Sequence, residues 1–380
     1  MITREEIRDL TASLVAIDSV NPDLVAGGAG EAEIARFVAD WLQGAGLEAE
    51  IMELGPARAN VVAVVRGTGG GRALMLNAHM DTVGVGGMND PFTPHVEGDR
   101  LHGRGAFDMK ASLATIMLVA REAQSWHARG DLIVTAVADE EFASIGVQDI
   151  VQRMTADAAI VTEPFGLDLC VAHKGFVWLE VETFGVASHG SLPEAGIDAI
   201  ASMGPVLTGI TALDRRLRAG EGHPLLGTGS VHASLIEGGQ ELSTYPARCV
   251  LSIERRTIPG ETHALAEAEL QAILDEASAS DPTFKAELRT LLVRDAFEVA
   301  ADEPIVVVTR KQLEQVKGGP VEMTGAGGWM DSAFLASAGI PTVIFGPDGD
   351  GAHADVEWVD LASAEKAANA LLAIAREFCA

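Results

Sequence analysis

The first part of the chain alternates between two hydrophobic periods. Ile7, Leu10 and Leu14 recur at helical spacing, whereas short apolar runs such as NVVAVV at 60–65 are typical of buried strands. The pattern predicts helices at 3–17, 31–46, 109–124 and 144–155, and strands at 60–65, 73–79, 131–138 and 158–162. Strands that alternate with helices in this way favour a mainly parallel sheet covered by helices.

A second pattern begins near residue 175. The segment FVWLEVETFG at 176–185 alternates apolar and polar residues with period two, as strands do when one sheet face is solvated. The residues that follow predict helices at 196–218 and 262–278, and strands at 231–239, 248–257 and 285–294. The order β-α-β-β-α-β is typical of a compact α+β sandwich.

The α/β pattern then returns. A helix is predicted at 303–318, the strand TVIFG at 342–346 and a last helix at 361–378. Because α/β segments flank the α+β segment, we expect an α/β fold whose core domain is discontinuous, at 1–174 and 292–380. One inserted domain, at 175–291, interrupts it.

Net charge narrows the range of partners. The 380 residues include 27 Lys and Arg and 55 Asp and Glu, for a formal net charge of −28. An acidic chain is poorly suited to duplex DNA or to anionic membranes. We therefore expect neither nucleic-acid nor membrane partners.

The cysteines and the N-terminal segment indicate the cellular compartment of the protein. Cys170, Cys249 and Cys379 form no CxxC pair and are too few for a disulfide framework. The N-terminal segment carries charges throughout, unlike a signal peptide, and no apolar run reaches the roughly 18 residues of a membrane span. Free thiols fit a reducing compartment, so we expect a cytoplasmic protein.

Side chains that bind metals follow, or lie near, several predicted strands. His79 ends ALMLNAH, Glu141 follows DLIVTAVA and Glu163 follows AAIVT. Asp108 opens the predicted helix 109–124, and His353 comes shortly after TVIFG. Ligands of an open α/β sheet bind outside the carboxyl ends of its strands, so we expect these five side chains at one edge.

Two more carboxylates lie beside this set. Asp81 follows His79 by two positions, from which it can orient a metal-binding imidazole. Glu140 precedes Glu141, and neighbours at a strand end point to opposite sides, so one can bind metal while the other faces substrate. One His or Glu after a strand is usually a solvated loop residue. Converging carboxylates, however, repel each other unless cations neutralise them, so the joint pattern predicts two divalent metal ions and a water.

Several separated strings, spread in order over nearly the whole chain, resemble those of the M20 metallopeptidase family. They are HMDTV (79–83), GRGAFDMK (103–110), DEE (139–141), TEP (162–164), SHGS (188–191) and GAHADVEWV (351–359). The resemblance is strongest to the acetylornithine deacetylase, succinyl-diaminopimelate desuccinylase and carboxypeptidase G branch. It implies a zinc-aminopeptidase-like catalytic domain with an inserted lid domain that also serves dimerisation.

The resemblance also implies roles for the residues at the sheet edge. His79 and Glu163 bind one metal ion, while Glu141 and His353 bind the other. Asp108 bridges the two ions. Glu140 is the general base and later the acid, and Asp81 orients His79. Zinc suits this mix of imidazoles and carboxylates, and cobalt or manganese can substitute.

The inserted domain carries the residues implied for substrate. In family members that dimerise through the lid, the histidine of SHGS, here His189, reaches the active site of the partner subunit and stabilises the substrate carbonyl or oxyanion. Arg256 in ERRTIPGE matches a family arginine that grips a substrate carboxylate. The adjacent Arg255 points the other way if the strand alternates. Ser243 stands where many members carry Asn, which leaves the substrate class open.

The expected function is metal-dependent hydrolysis of the amide bond of an N-acyl amino acid or a related small, carboxylate-bearing substrate. A dipeptidase or carboxypeptidase-type exopeptidase, or another C–N hydrolysis at the same two-metal site, shares these motifs. Serine-hydrolase chemistry lacks a GxSxG string. A binding protein that has lost its chemistry is disfavoured because the ligands and the base are all present.

Overall fold

Two compact units make up the chain in a computed structural model that describes residues 1–126 and 128–380. The first comprises Met1–Val171, Val299–Thr324 and Met330–Ala380, and the second Ala172–Glu298 and Gly325–Trp329. The predicted domain limits, after residues 174 and 291, stay a prediction.

The helices in the described residues bury apolar faces at the predicted spacing. Ile7, Leu10 and Leu14 are all buried on the first of them. The helices are α1 (Arg4–Val15), α2 (Ala32–Gly44), α3 (Ala111–Ala123), α4 (Ile145–Arg153), α5 (Ala199–Ala219), α6 (His263–Ser280), α7 (Pro304–Lys317), α8 (Ser332–Ser337) and α9 (Leu361–Phe378). None of those in the described part of the chain has both the length and the apolar character of a membrane-spanning helix.

The strands are more numerous than the sequence pattern predicted. They are β1 (Ala49–Gly55), β2 (Arg58–Val65), β3 (Leu74–His79), β4 (His95–Glu97), β5 (Arg100–His102), β6 (Leu132–Val137), β7 (Ala158–Val161), β8 (Leu169–His173), β9 (Gly175–Phe184), β10 (Ser230–Gly238), β11 (Arg248–Thr257), β12 (Ala286–Arg294), β13 (Phe297–Glu298), β14 (Met323–Ala326), β15 (Thr342–Ile344), β16 (Gly349–Asp350) and β17 (Trp358–Asp360). The additional strands are mostly short or exposed, and such strands lack a clear hydrophobic period.

The main sheet of the first unit runs in the order β1-β2-β6-β3-β7-β15-β8. Its four central strands, β6, β3, β7 and β15, are parallel and buried. The outer pairs β1–β2, β2–β6 and β15–β8 are antiparallel. The α/β class is therefore confirmed, but the expectation of a mainly parallel sheet holds only for the centre. A small antiparallel sheet, β16-β17-β5-β4, lies in the same unit.

The second unit contains a four-stranded antiparallel sheet in the order β10-β11-β9-β12. Alternate residues of β9 and β11, such as Val177, Leu179 and Ile253, pack with apolar residues of α5 and α6 in one buried core. The opposite sheet face carries polar and aromatic residues of the same strands, which explains the period-two pattern at 176–185.

Candidate metal centre

The register of the central strands brings the predicted ligands to one edge of the main sheet. His79 is the last residue of β3 and pairs with Val137, the last residue of β6. On the other side of β3, Asn77 pairs with Val161, where β7 ends. Because these strands are parallel, the residues that follow them emerge at the same edge.

A first cluster joins His79, Asp108 and Glu163. His79 Nε2 lies 3.1 Å from Asp108 Oδ1 and 3.8 Å from Glu163 Oε1. His79 Nδ1 donates to the backbone carbonyl of Asp81 at 2.9 Å. A carbonyl oxygen only accepts, so Nδ1 carries a proton and Nε2 is the ring nitrogen that faces the cluster.

A second cluster joins Asp108, Glu141 and His353. His353 Nε2 lies 3.1 Å from Glu141 Oε2 and 3.4 Å from Asp108 Oδ2. Asp108 thus presents one carboxylate oxygen to each cluster. His353 has a left-handed backbone (φ 62°) and its side chain is 54% exposed, so this cluster is the more open of the two.

The loop that presents Asp108 is held by Glu357, a residue that sequence analysis did not single out. The Glu357 carboxylate accepts hydrogen bonds from the backbone N–H groups of Gly105, Phe107 and Asp108 at 2.9–3.0 Å, and from Arg104 Nη1 at 2.7 Å. This loop replaces the predicted first helical turn.

The prediction that Asp108 opens a helix is therefore wrong in detail. Asp108 and Met109 have non-helical dihedral angles, and α3 begins at Ala111. The backbone N–H of Asp108 points at Glu357 and not along a helix axis. Two imidazoles, those of His79 and His353, contact the Asp108 carboxylate.

The Asp81 carboxylate binds the neighbouring turn. It lies 3.6 Å from His79 Nδ1, beyond hydrogen-bond distance, while the backbone N–H groups of Glu140 and Glu141 donate to it at 3.1 and 3.2 Å. The contact with His79 is made by the Asp81 backbone. Asp81 therefore connects the end of β3 to the turn after β6.

Burial has the largest effect on the pKa values of the carboxylates at this edge. It raises the pKa of Glu163 to about 8, and it raises the pKa of Glu140 well above its ordinary value, with the charge of Glu163 adding to the effect. Hydrogen bonds to Asp108 and Glu141 raise the pKa of His353 to about 10. Glu163 and His353 therefore hold protons near neutral pH, which reduces the negative charge of the carboxylates at this edge.

The residues present fit two divalent cations. Each cluster offers one imidazole nitrogen and two carboxylate oxygens, and within each cluster these atoms lie within 4.8 Å of one another. Glu141 Oε1 and Glu163 Oε1 are buried and accept no hydrogen bond from the described residues. Buried oxygens without donors are costly in a protein interior but are suitable ligands for a cation.

The other predicted site residues lie in the second unit. His189 Nδ1 is 2.7 Å from Ser191 Oγ, and the backbone carbonyl of Ser243 accepts the N–H of Gly190 at 2.7 Å, so the His189 and Ser243 loops are neighbours. Arg256 lies on the open face of the sheet, where its Nε donates to Glu254 at 2.7 Å and its guanidinium lies 5.0 Å from the Phe176 ring centroid.

The two adjacent arginines of β11 have different surroundings. Arg255 is fully buried and its guanidinium pairs with Glu261 and Glu269 at 2.9–3.0 Å. Arg256 is 31% exposed on the other face, as the alternation of a strand requires. Arg255 is therefore committed to ion pairs inside the second unit.

Comparison with known proteins gives the family. The sequence model described as Peptidase family M20/M25/M40 matches residues 75–377. An acetylornithine deacetylase from Myxococcus xanthus is 30% identical, over 89% of this chain and 90% of its own. The chain therefore belongs to this family of hydrolases that act on C–N amide bonds.

Two further proteins extend the comparison. An N-formyl-4-amino-5-aminomethyl-2-methylpyrimidine deformylase from Bacillus subtilis is 28% identical, over 94% of this chain and 91% of its own. The crystal structure of a dinuclear metal-binding peptidase of the M20 family from Bacillus subtilis superposes with a TM-score of 0.73 at 16% identity, covering 99% of each chain. The latter likeness shows a shared fold.

We expect zinc affinity to rise with pH. Glu163, with a pKa of about 8, and His353, with a pKa of about 10, are largely protonated at neutral pH and must lose their protons to bind a cation. Each proton released strengthens binding by about tenfold per pH unit until the pH passes the pKa of that group. Calorimetric zinc titrations of the chelator-treated protein, in two buffers of different ionisation enthalpy, measure this release.

The matched variants are Glu163→Gln, which should release fewer protons, and His95→Gln, an exposed histidine on β4 that should change nothing. Zinc binding with no proton release between about pH 6 and pH 8 would contradict the assignment.

Proposed function

We propose that this protein is a dinuclear metal-dependent hydrolase that cleaves the amide bond of N-acyl amino acids or of related small, carboxylate-bearing substrates. One observation carries the proposal: the two oxygens of Asp108 lie in two separate ligand clusters. The names of two relatives, a deacetylase and a deformylase, support removal of a small acyl group from an amine.

The cluster geometry supports one assignment of ligands. His79 and Glu163 would hold one ion, and Glu141 and His353 the other, with Asp108 between them. Zinc suits two imidazoles and three carboxylates, and cobalt or manganese binds the same donors. The native metal stays a prediction.

Two bound divalent ions would supply a water of lowered pKa and polarise the substrate carbonyl. Glu140 acts as the base. Glu140 lies after β6 at the same edge of the sheet and belongs to neither cluster, so its carboxylate is available for proton transfer. It takes a proton from the attacking water and delivers it to the leaving amine nitrogen.

Substrate recognition is assigned to the second unit. Because the Nε of Arg256 is occupied by Glu254, its two terminal nitrogens can receive a substrate carboxylate in bidentate fashion. His189 stabilises the developing oxyanion. Ser243, whose backbone binds the loop of His189, contributes to the choice of acyl group.

A substrate panel tests the reaction. We expect the zinc-loaded protein to hydrolyse N-acetyl, N-formyl or N-succinyl amino acids about 10- to 100-fold faster than their carboxamide analogues, because the analogues lack the carboxylate that Arg256 binds. Initial rates of amine release measure this. Turnover of dipeptides alone would favour the exopeptidase alternative. Inactivity on every acyl amino acid and dipeptide would favour another C–N hydrolysis.

Glu140→Gln tests the base. We expect kcat to fall by about 100- to 10,000-fold, because the amide cannot take the proton of water, while the bound metal stays at two equivalents. Single-turnover rates and elemental analysis of the same sample measure the two quantities. The matched control is Glu53→Gln, an exposed residue on β1. Near-normal turnover by metal-loaded Glu140→Gln would show that another group is the base.

We also propose a homodimer that forms through the second unit, in which His189 serves the active site of the partner. β10 is an edge strand of its sheet, and Leu235 and Ile236 on it are 72% and 55% exposed. A long edge strand with exposed apolar side chains is a surface that pairs with another chain.

A cytoplasmic location stays a prediction from the cysteine content.

Ile236→Lys tests the dimer. We expect a halved mass in sedimentation equilibrium, because a charge on the edge strand opposes pairing, together with a loss of activity if His189 acts on the partner. Leu265→Lys on α6, where Leu265 is also exposed (44%), is the matched control and should keep the mass. A monomeric Ile236→Lys with full activity would exclude a partner role for His189.

A further inference from the structure

The turn that carries Glu140 has an unfavourable backbone. Asp139 adopts φ 70°, in the left-handed region, and Ser144 adopts φ 56°. Such angles are unfavourable for a non-glycine residue and persist only when the surroundings hold them. Something outside the turn must therefore fix its course after β6.

Two buried carboxylates hold this turn. Asp81 accepts the backbone N–H groups of Glu140 and Glu141, and Asp139 Oδ2 accepts the N–H of Ile145 at 3.3 Å. Both carboxylates are fully buried. Two such groups side by side repel each other unless a donor lies between them.

Asn21 is that donor. Its Nδ2 donates to Asp81 Oδ2 and to Asp139 Oδ1, each at 2.8 Å. An amide nitrogen has two N–H groups, so each carboxylate receives one. The side chain is fully buried, and it lies in the loop after α1, far in sequence from the turn.

Arg58 fixes the orientation of the Asn21 amide. Its Nη2 donates to Asn21 Oδ1 at 2.8 Å, which prevents the amide from presenting oxygen to the carboxylates. The same guanidinium lies 3.1 Å from Asp139 Oδ1 and donates to Glu31 Oε1 at 2.7 Å. The guanidinium is almost fully buried, so these bonds act in a medium of low dielectric and order the groups strongly.

We propose that Asn21 and Arg58 are positioning residues for Glu140, acting through Asp81 and Asp139. The chain of bonds runs from Arg58 to Asn21, from Asn21 to the two carboxylates, and from Asp81 to the backbone of Glu140. This inference rests on the proposed role of Glu140 as the base. A displacement of about 1 Å in a reacting group is enough to slow a reaction by about 100-fold, so a loose turn lowers the rate without unfolding the site.

Asn21→Asp tests the proposal, because it keeps the shape and replaces the donor between the two carboxylates by a third carboxylate. We expect kcat to fall by about 10- to 100-fold with KM within about twofold. Bound zinc should stay at two equivalents, and rates are compared below the midpoint of thermal unfolding, which a third buried carboxylate lowers. Asn369→Asp is the matched control: the Asn369 amide also joins two segments, α9 and Ile2, and its loss should leave kcat unchanged.

Arg58→Lys provides a second variant if Asn21→Asp does not fold. Lysine keeps the charge but lacks the fork that reaches Asn21 and Glu31 together, so we again expect a lower kcat at constant KM and metal content. Wild-type kcat in a folded, zinc-loaded Asn21→Asp or Arg58→Lys would overturn the proposal. So would a fall in kcat that disappears once the rates are corrected for bound zinc and for the folded fraction, because that result indicates a merely structural network.

The Glu140→Gln result separates the two ideas. If Glu140→Gln stays active, the proposed base is wrong and the positioning role falls with it. If Glu140→Gln is inactive while Asn21→Asp is as active as the wild type, the positioning role alone is refuted.

Discussion

Carboxylates that converge at one edge of the main sheet impose the constraint on which the rest of the site depends. Glu140 and Glu141 follow β6 and Glu163 follows β7, the two parallel strands that flank β3, and all three carboxylates are drawn out of water together. Burial raises the pKa of carboxylates placed in this way, and the like charges of their neighbours raise it further. The negative charge at this edge must be offset by protons, by imidazolium groups or by metal cations. Each of the two imidazoles lies beside two carboxylates, with which it could bind the same cation.

The acidic residues around this edge are of two kinds. Asp81 and Glu357 are satisfied by backbone N–H groups and by Asn21 or Arg104, and they hold loops in place. Glu141 and Glu163, in contrast, each keep a buried oxygen that accepts no hydrogen bond from the described residues. A protein rarely buries such an oxygen without reason, and at this edge the two oxygens are suited to bind cations.

Much of the fold follows from the sequence pattern, because buried helices and strands repeat their apolar residues at fixed spacing. That pattern placed the central strands and His79 at the end of β3. It misplaced the start of α3, because the Asp108 loop is shaped by Glu357, which is about 250 positions away and has no periodic signal. Arg58 and Asn21 escaped notice for the same reason: each resembles an ordinary strand or loop residue until its distant partners are known.

The sequence by itself determined which side chains reach the sheet edge. Strand period and parallel connection place residues at strand ends whatever the details of packing, and the family strings supplied their roles as expectations. Only the tertiary structure decided which atoms face each other: that Asp108 divides its two oxygens between two clusters, that Asp81 holds the Glu140 turn, and that Arg255 is committed to ion pairs while Arg256 faces outward. These choices depend on distances between residues far apart in the chain, and such distances exist only once the chain has folded.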